Sequence, residues 1–376
     1  MSHKLRVKVA FALWLIIAVV AEAQAQSGRM RGQTPSRPQN NSDPDDDALR
    51  LRVEEVLLPV SVRNSFGKLP ADLRQTDFIV TEDGKRREVN AVMRTPANIL
   101  FVIDTSGESV LKNVNLNRDL ALKMVEALSP EDRAAIITYG DRIDLLSAWT
   151  SDKNALRHAL NWKFKPSLKA DFYNSILYAT EEVLPKVSGR RSIVLITDGI
   201  DSFDRPVIEG GTLMFEKALT ALHRARATVY VACQIEILLR ELKPRAFNAL
   251  SWYERLDPKA RKSIDQMRAY YRQLEAAEIS LKGLAEETGG FVWNPSTREE
   301  FNKIGNPMVA EIGTECVIAY SSQRPPSDNS FHAVKVYGTR PDIFIRFRRG
   351  IYAGPAPEKP RTAFLDSYDS PYVALR

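Results

Sequence analysis

Cysteine and histidine are scarce in this chain. Its 376 residues hold two cysteines, Cys233 and Cys316, and four histidines. Two cysteines do not make a disulfide scaffold, so the fold has to come from a hydrophobic core. They leave two arrangements open: one bridge, or two buried apolar thiols. His158, His223 and His332 lie far apart, no pair has metal-ligand spacing, and HExxH is absent, which argues against a zinc hydrolase. No GxxxxGK loop occurs, so nucleotide hydrolysis of that type is not indicated. An excess of one charge is lacking as well: the net charge is +6, too mild to argue for nucleic acid.

A long membrane-spanning run is also missing. The apolar stretch "VAFALWLIIAVVA" follows Lys4, Arg6 and Lys8 and is short for a span, and the small-x-small "AQA" ends at Ala25. Residues 1–25 therefore read as an export signal, which places the mature chain in the periplasm or outside the cell. Membrane contact is expected only if that segment is retained. Without it the net charge falls to +4, since three basic residues and Glu22 go with it. No cysteine precedes Cys233, which argues against a lipid anchor.

Residues 26–48 are rich in Ser, Gln, Asn, Pro, Gly and Asp and read as a flexible linker. From 49 to 96 the pattern is β-like, with a hairpin expected on "EDGK". From 97 to 312 the period changes. Apolar runs such as "ANILFVID", "AAIITYG", "RRSIVLITD" and "ATVYVACQI" alternate with amphipathic stretches such as "LNRDLALKMVEAL" and "LMFEKALTALHRA". That is the pattern of an α/β fold, a doubly wound, mostly parallel sheet covered on both faces. Residues 313–354 return to β-like runs, and 355–376 form a loose tail. Neither flanking segment suffices for a sandwich, so the two are expected to pack together as a small β-sandwich-like domain with the α/β domain inserted between them.

Asp104 and Asp198 end two of the apolar runs, in "DTSGES" and "TDGIDS". In a doubly wound sheet, ligands bind outside the carboxyl ends of the strands. Either aspartate alone reads as a helix cap; the two together, with hydroxyls beside them, offer the oxygen ligands of a hard cation.

Strand, Asp-x-Ser-Gly, helix, and later strand, Thr-Asp-Gly resembles the von Willebrand factor A-type domain and its metal-ion-dependent adhesion site. The flanks "VSVRNSFGKLPADLRQTDFIVTEDGK", "LKGLAEETGGFVW" and "IRFRRGIYA" are similar to the related secreted proteins described from Acidobacteria. The resemblance implies a site of Asp104, Ser106 and Asp198 holding Mg²⁺, or Mn²⁺ or Ca²⁺. Glu108 stands where that pattern has a second Ser, and Ala170 where it has a Thr, with Asp171 beside it. Glu108 would then be an internal carboxylate competing with a partner's own.

The segment 236–280 reads as a helical insert, with Asp257-Pro258 a helix start and Gly289 or Gly290 a stop. Ile264, Met267, Tyr271, Leu274 and Leu281 form a stripe that reads as packing onto the domain's own sheet. Before it, Phe247, Trp252 and Tyr253 are expected at a rim that selects the partner. A phosphotransferase with a strand-end Asp nucleophile would want a second acid two residues on, where Ser106 stands, and "VIDTSG" departs from the Asp-Thr-Gly of aspartic proteases. The reading is an exported, non-enzymatic protein-binding or adhesion protein with another protein as partner and no small-molecule substrate. A metal-free envelope scaffold is the alternative, and a Mg²⁺-dependent phosphotransferase a third.

Overall fold

Every residue of β5 (Asn98–Asp104) is buried, as a strand covered on both faces must be. The computed structural model describes residues 54–107, 114–202, 210–248, 257–323 and 329–352. The expected export signal, linker and tail, together with Glu108, Trp252 and Tyr253, lie outside the described residues. β5 is central in a six-stranded sheet of order β10-β9-β8-β5-β6-β7. Its neighbours are β6 (Arg133–Tyr139) and β8 (Arg191–Ile196), followed outward by β7 (Ile143–Thr150) on one side and by β9 (Ala227–Ala232) and β10 (Phe291–Trp293) on the other. All adjacent pairs are parallel except β6 with β7.

The strand period of two sends Leu100 and Val102 to one face, where they join Phe172, Leu222 and Leu281. Ile99, Phe101 and Ile103 go to the other, against Leu120, Met124 and Met308. Leu120 and Met124 belong to α1 (Val114–Ala127), Phe172 to α3 (Phe172–Tyr178) and Leu222 to α4 (Gly210–Ala225); α2 (Lys153–Trp162) lies between α1 and α3 in sequence.

Strands from before and after this layer pair with each other. β1 (Glu54–Arg63) runs antiparallel to β11 (Glu315–Ser322) on one side and to β13 (Phe344–Phe347) on the other, in a sheet of order β13-β1-β11-β4 with β4 (Val89–Met93) at its edge. A second sheet has the order β14-β12-β2-β3, with β2 (Phe78–Glu82), β3 (Lys85–Arg87), β12 (Phe331–Gly338) and β14 (Gly350–Tyr352). Val56, Leu58 and Val60 from the first sheet share a core with Phe78, Val80, Val334 and Val336 from the second. Burial alternates along β2 and β12, as a strand with one face on a core requires. The hairpin on "EDGK" is present: Asp83 and Gly84 both have positive φ, 51° and 77°, the geometry of a type I′ turn. Asp83 holds that uncommon conformation by accepting from Ala333 N at 3.0 Å and from His332 Nδ1 at 2.6 Å.

Glu315, at the start of β11 and 3 % exposed, joins the two parts of the fold. It accepts from Arg190 Nη1 at 3.1 Å, Tyr230 OH at 2.8 Å and Ser192 Oγ at 3.4 Å. Glu311 is engaged by Arg63, Arg346 and Ser61. Cys233 and Cys316 are both buried and free, so the bridge arrangement is excluded. Cys316 packs in the sandwich core and Cys233 in the core of the α/β sheet. Burial pushes both thiols up to about 12.

The insert consists of α5 (Ile235–Phe247) and α6 (Pro258–Thr288). Asp257 caps α6 by accepting from Lys259 N at 2.9 Å, Pro258 opens the first turn, and Gly289 ends it at φ 82°. Ile264, Leu274 and Leu281 are buried, with Met267 and Tyr271 packed beside the α/β core, so the stripe is consumed internally. Asp257→Ala is expected to cost about 1 kcal/mol, read as a lower midpoint in urea unfolding without a change in slope.

Candidate functional site

From β5 the chain moves to β6 on one side of the sheet, and it later returns to start β8 on the other side of β5. The strand order therefore reverses between β5 and β8, and the crevice at their carboxyl ends is where open α/β sheets bind ligands. Asp104 is the last residue of β5, and Thr197 and Asp198 follow β8. Asp104, Ser106, Asp171 and Asp198 are all buried.

Asp104 Oδ1 accepts from Ser106 N at 2.8 Å and from Ser106 Oγ at 2.7 Å. Its Oδ2 accepts from Thr197 Oγ1 at 3.3 Å. Thr197 Oγ1 in turn accepts from Gly199 N at 2.8 Å and contacts Tyr139 OH. A hydroxyl has one proton and two lone pairs, so with its proton on Asp104 Thr197 accepts from Tyr139. Burial, with the Asp104 charge beside it, pushes the Tyr139 phenol well above its ordinary range, which keeps that donor protonated. The Asp104 backbone carbonyl is held by Asn117 Nδ2 at 3.0 Å, and Asn117 Oδ1 accepts from Gln234 Nε2 at 2.7 Å.

Three loops are fastened around this centre. Ser106 and Ser167 form a β-bridge, with Gly107 N bonded to Ser167 O and Ser167 N to Thr105 O, each at 2.9 Å. Ala170, in the slot of the family's Thr, gives its N–H to Ser202 Oγ at 2.9 Å, and its carbonyl accepts from Ser202 N at 2.8 Å. Asp171 is the N-cap residue of α3; its side chain makes no capping bond to the backbone, and its Oδ2 accepts from Asn174 Nδ2 at 3.0 Å. Asp198 Oδ1 accepts from Ile200 N at 3.2 Å, which shapes its own turn.

The side chains of Asp104, Ser106, Asp171 and Asp198 present oxygens, the ligand type of a hard cation. Among the described residues, no group of three or more His, Cys, Asp or Glu side chains is placed to hold a metal ion. What fits is therefore the sparse kind of site, one or two carboxylates plus a hydroxyl and waters, that Mg²⁺ accepts. Ser106 suits it: with its proton committed to Asp104, its oxygen faces a cation only through lone pairs.

At the end of α5, Phe247 is half exposed. Its ring meets Tyr271 edge-on at 5.1 Å, and the Arg268 guanidinium lies 5.9 Å from its centroid. Among the described residues, neither of these contacts joins Phe247 to the Asp104 loops. Sequence reasoning missed Tyr139, Thr197, Asn117, Gln234 and Ser167. Only Thr197, beside Asp198, carried a local signal.

Residues 99–200 match the family model of the von Willebrand factor type A domain. The matched stretch runs from β5 to the turn after Asp198, so the chain carries a domain of that family. No curated protein matches the chain. Among solved structures it is similar to proximal thread matrix protein 1 from the mussel byssus, with 15 % identity over 62 % of this chain and 50 % of that one and a TM-score of 0.41. A form of that matrix protein with a zinc-occupied MIDAS motif has 14 % identity over 66 % of this chain and 50 % of that one, at 0.41. The vWF domain of the type V pili tip protein Mfa5 from Porphyromonas gingivalis has 20 % identity over 30 % of this chain and 40 % of that one, at 0.25. The chain thus spans about half the length, or less, of these structures.

Proposed function

We propose that the chain is an exported, non-enzymatic protein that binds another protein through the crevice at the carboxyl ends of β5 and β8. Asp104 and Asp198 anchor a divalent cation, Mg²⁺ first and Mn²⁺ or Ca²⁺ as alternatives, and Ser106 supplies a hydroxyl ligand. The bound cation offers a coordination position to a carboxylate of the partner. The observation that carries this reading is Asp104 Oδ1 taking both the N–H and the hydroxyl proton of Ser106, which turns the serine oxygen into a fixed acceptor beside a buried carboxylate. Glu108 and Asp171 are further candidate ligands of the same cation, and Phe247, Trp252 and Tyr253 belong to a proposed surface that selects the partner.

A second reading, a metal-free scaffold of the cell envelope, is favoured by the hydrogen bonds that fasten the three loops with protein groups alone. Calorimetric titration of the folded chain with Mg²⁺, Mn²⁺ and Ca²⁺ separates the two. Saturable binding of one of them is the expected result; no heat with any of the three leaves only the scaffold.

A further inference from the structure

Among the described residues Arg348 is the bulkiest fully buried side chain, 1 % exposed, and it follows β13 where the sandwich meets the α/β layer. Its Nη2 donates to Ala227 O at 2.9 Å, but Nε and Nη1 are buried without an acceptor. Among the described residues six buried side-chain polar atoms lack a hydrogen-bond partner, and four of them belong to Arg348, His223 and Arg224. Two of these residues, Arg348 and His223, lie close enough to interact.

Glu315 lies near enough to favour the charge of Arg348 but accepts none of its N–H groups. Glu315 is committed to Arg190, Tyr230 and Ser192, and Glu311 to Arg63, Arg346 and Ser61. Arg226, adjacent in sequence to α4, adds a like charge: burial first, then Arg226, lowers the Arg348 guanidinium to about 10, which still leaves it charged at neutral pH. His223 is kept neutral, lowered to about 3 by burial and by Arg348, so the charge to be balanced is that of the guanidinium. The carboxyl end of α4 beside it is the negative end of a helix dipole, but a helix terminus offsets less than the cost of taking a whole ion out of water. Arg224 differs, since it has the Tyr352 ring at 4.9 Å. Buried charges in folded proteins are paired, and unsatisfied buried donors mark an ordered water or an ion.

We infer that a small monovalent anion, chloride, binds at Arg348 between the carboxyl end of α4, the start of β9 and the β13–β14 turn. It accepts from an uncommitted N–H of the guanidinium and balances a charge that no side-chain acceptor hydrogen-bonds. The near-complete burial of Arg348 selects for size: chloride fits the role, whereas phosphate or a carboxylate metabolite brings polar oxygens that would themselves need partners. The anion would act as a clamp, because its ligands come from the sandwich side and its surroundings from the α/β layer.

The test is thermal unfolding of the full chain in sodium chloride against sodium gluconate at equal ionic strength, gluconate being a bulky polyhydroxy carboxylate whose own polar groups would need partners. With chloride at roughly ten times its Kd, Tm is expected to be higher by about 3 °C. Arg348→Met, which keeps the length of the side chain and removes the charge, is expected to unfold at the same temperature in both salts. If that variant does not fold, chloride NMR line broadening by the wild-type chain is measured instead, and it should saturate as the salt is raised. Equal Tm of the wild type in the two salts, a chloride effect that survives in Arg348→Met, or the absence of saturable broadening each overturns the proposal. The first of these outcomes assigns the site to a water molecule.

Discussion

Asp104→Ala is expected to abolish saturable Mg²⁺ binding, with a loss of affinity of roughly 100-fold or more, since even the partners of metal ligands are worth about 10–100-fold. The carboxylate contributes twice, as the charge at the end of β5 and as the acceptor that orients Ser106. Removing it also strips acceptors from Ser106 Oγ and Thr197 Oγ1, at about 1–3 kcal/mol for each buried hydroxyl left unsatisfied. Loss of binding and loss of fold must therefore be told apart. Asp104→Asn does so: its Oδ1 still accepts from Ser106, while its NH₂ donates to Thr197 Oγ1, whose proton then turns to Tyr139 OH. This variant should keep most of the stability and still lose the metal. Undiminished calorimetric binding in Asp104→Asn would remove Asp104 from the site.

Arg190→Met is expected to destabilise the fold by about 3–5 kcal/mol, the range for removing one partner of a buried ion pair. Both ends are buried, with side chains 4 % and 1 % exposed, so the pair is not screened as a surface bridge would be. Glu315 would keep Tyr230 and Ser192 as donors but lose its counter-charge. The double variant Arg190→Met/Glu315→Leu should recover much of the loss, since replacing both charges is far cheaper than orphaning one. Urea unfolding of the single and double variants reads the difference directly. A single variant within 1 kcal/mol of wild type, by the same measurement, would mean that the pair is solvated in solution.

Much of the architecture was legible because each local signal agreed with the global arrangement. The apolar run ending at Asp104 could only be a central strand, "EDGK" dictated its turn, and Asp257-Pro258 with Gly289 bounded a long helix. The strand-end aspartates pointed to the crevice because topology sends the carboxyl ends of parallel strands to one face. The groups that hold Asp104 in place were not legible. Tyr139, Asn117 and Gln234 reach it only after three separate elements have packed, and nothing in their local sequence distinguishes them from ordinary core or helix residues. The cysteines fall in the same class, since whether two thiols meet depends on which core each enters. Arg348 is the sharpest case: of the two arginines in "FRRGIY" the first is buried and the second exposed, and nothing in the local sequence tells them apart.

β1 occupies an interior position in its sheet, and both of its neighbours, β11 and β13, come from the far end of the chain. Tension applied between residues 54 and 352 therefore pulls on strands that are paired with each other: Val60 of β1 lies opposite Phe347 of β13, so the load opens this antiparallel ladder from one end before it passes further along the chain. The α/β layer enters and leaves this sandwich through β4 and β11, which are paired with each other. Load passing along the chain is thus short-circuited through the sandwich, and the Asp104 crevice remains mechanically unstressed until the β1 ladders give way.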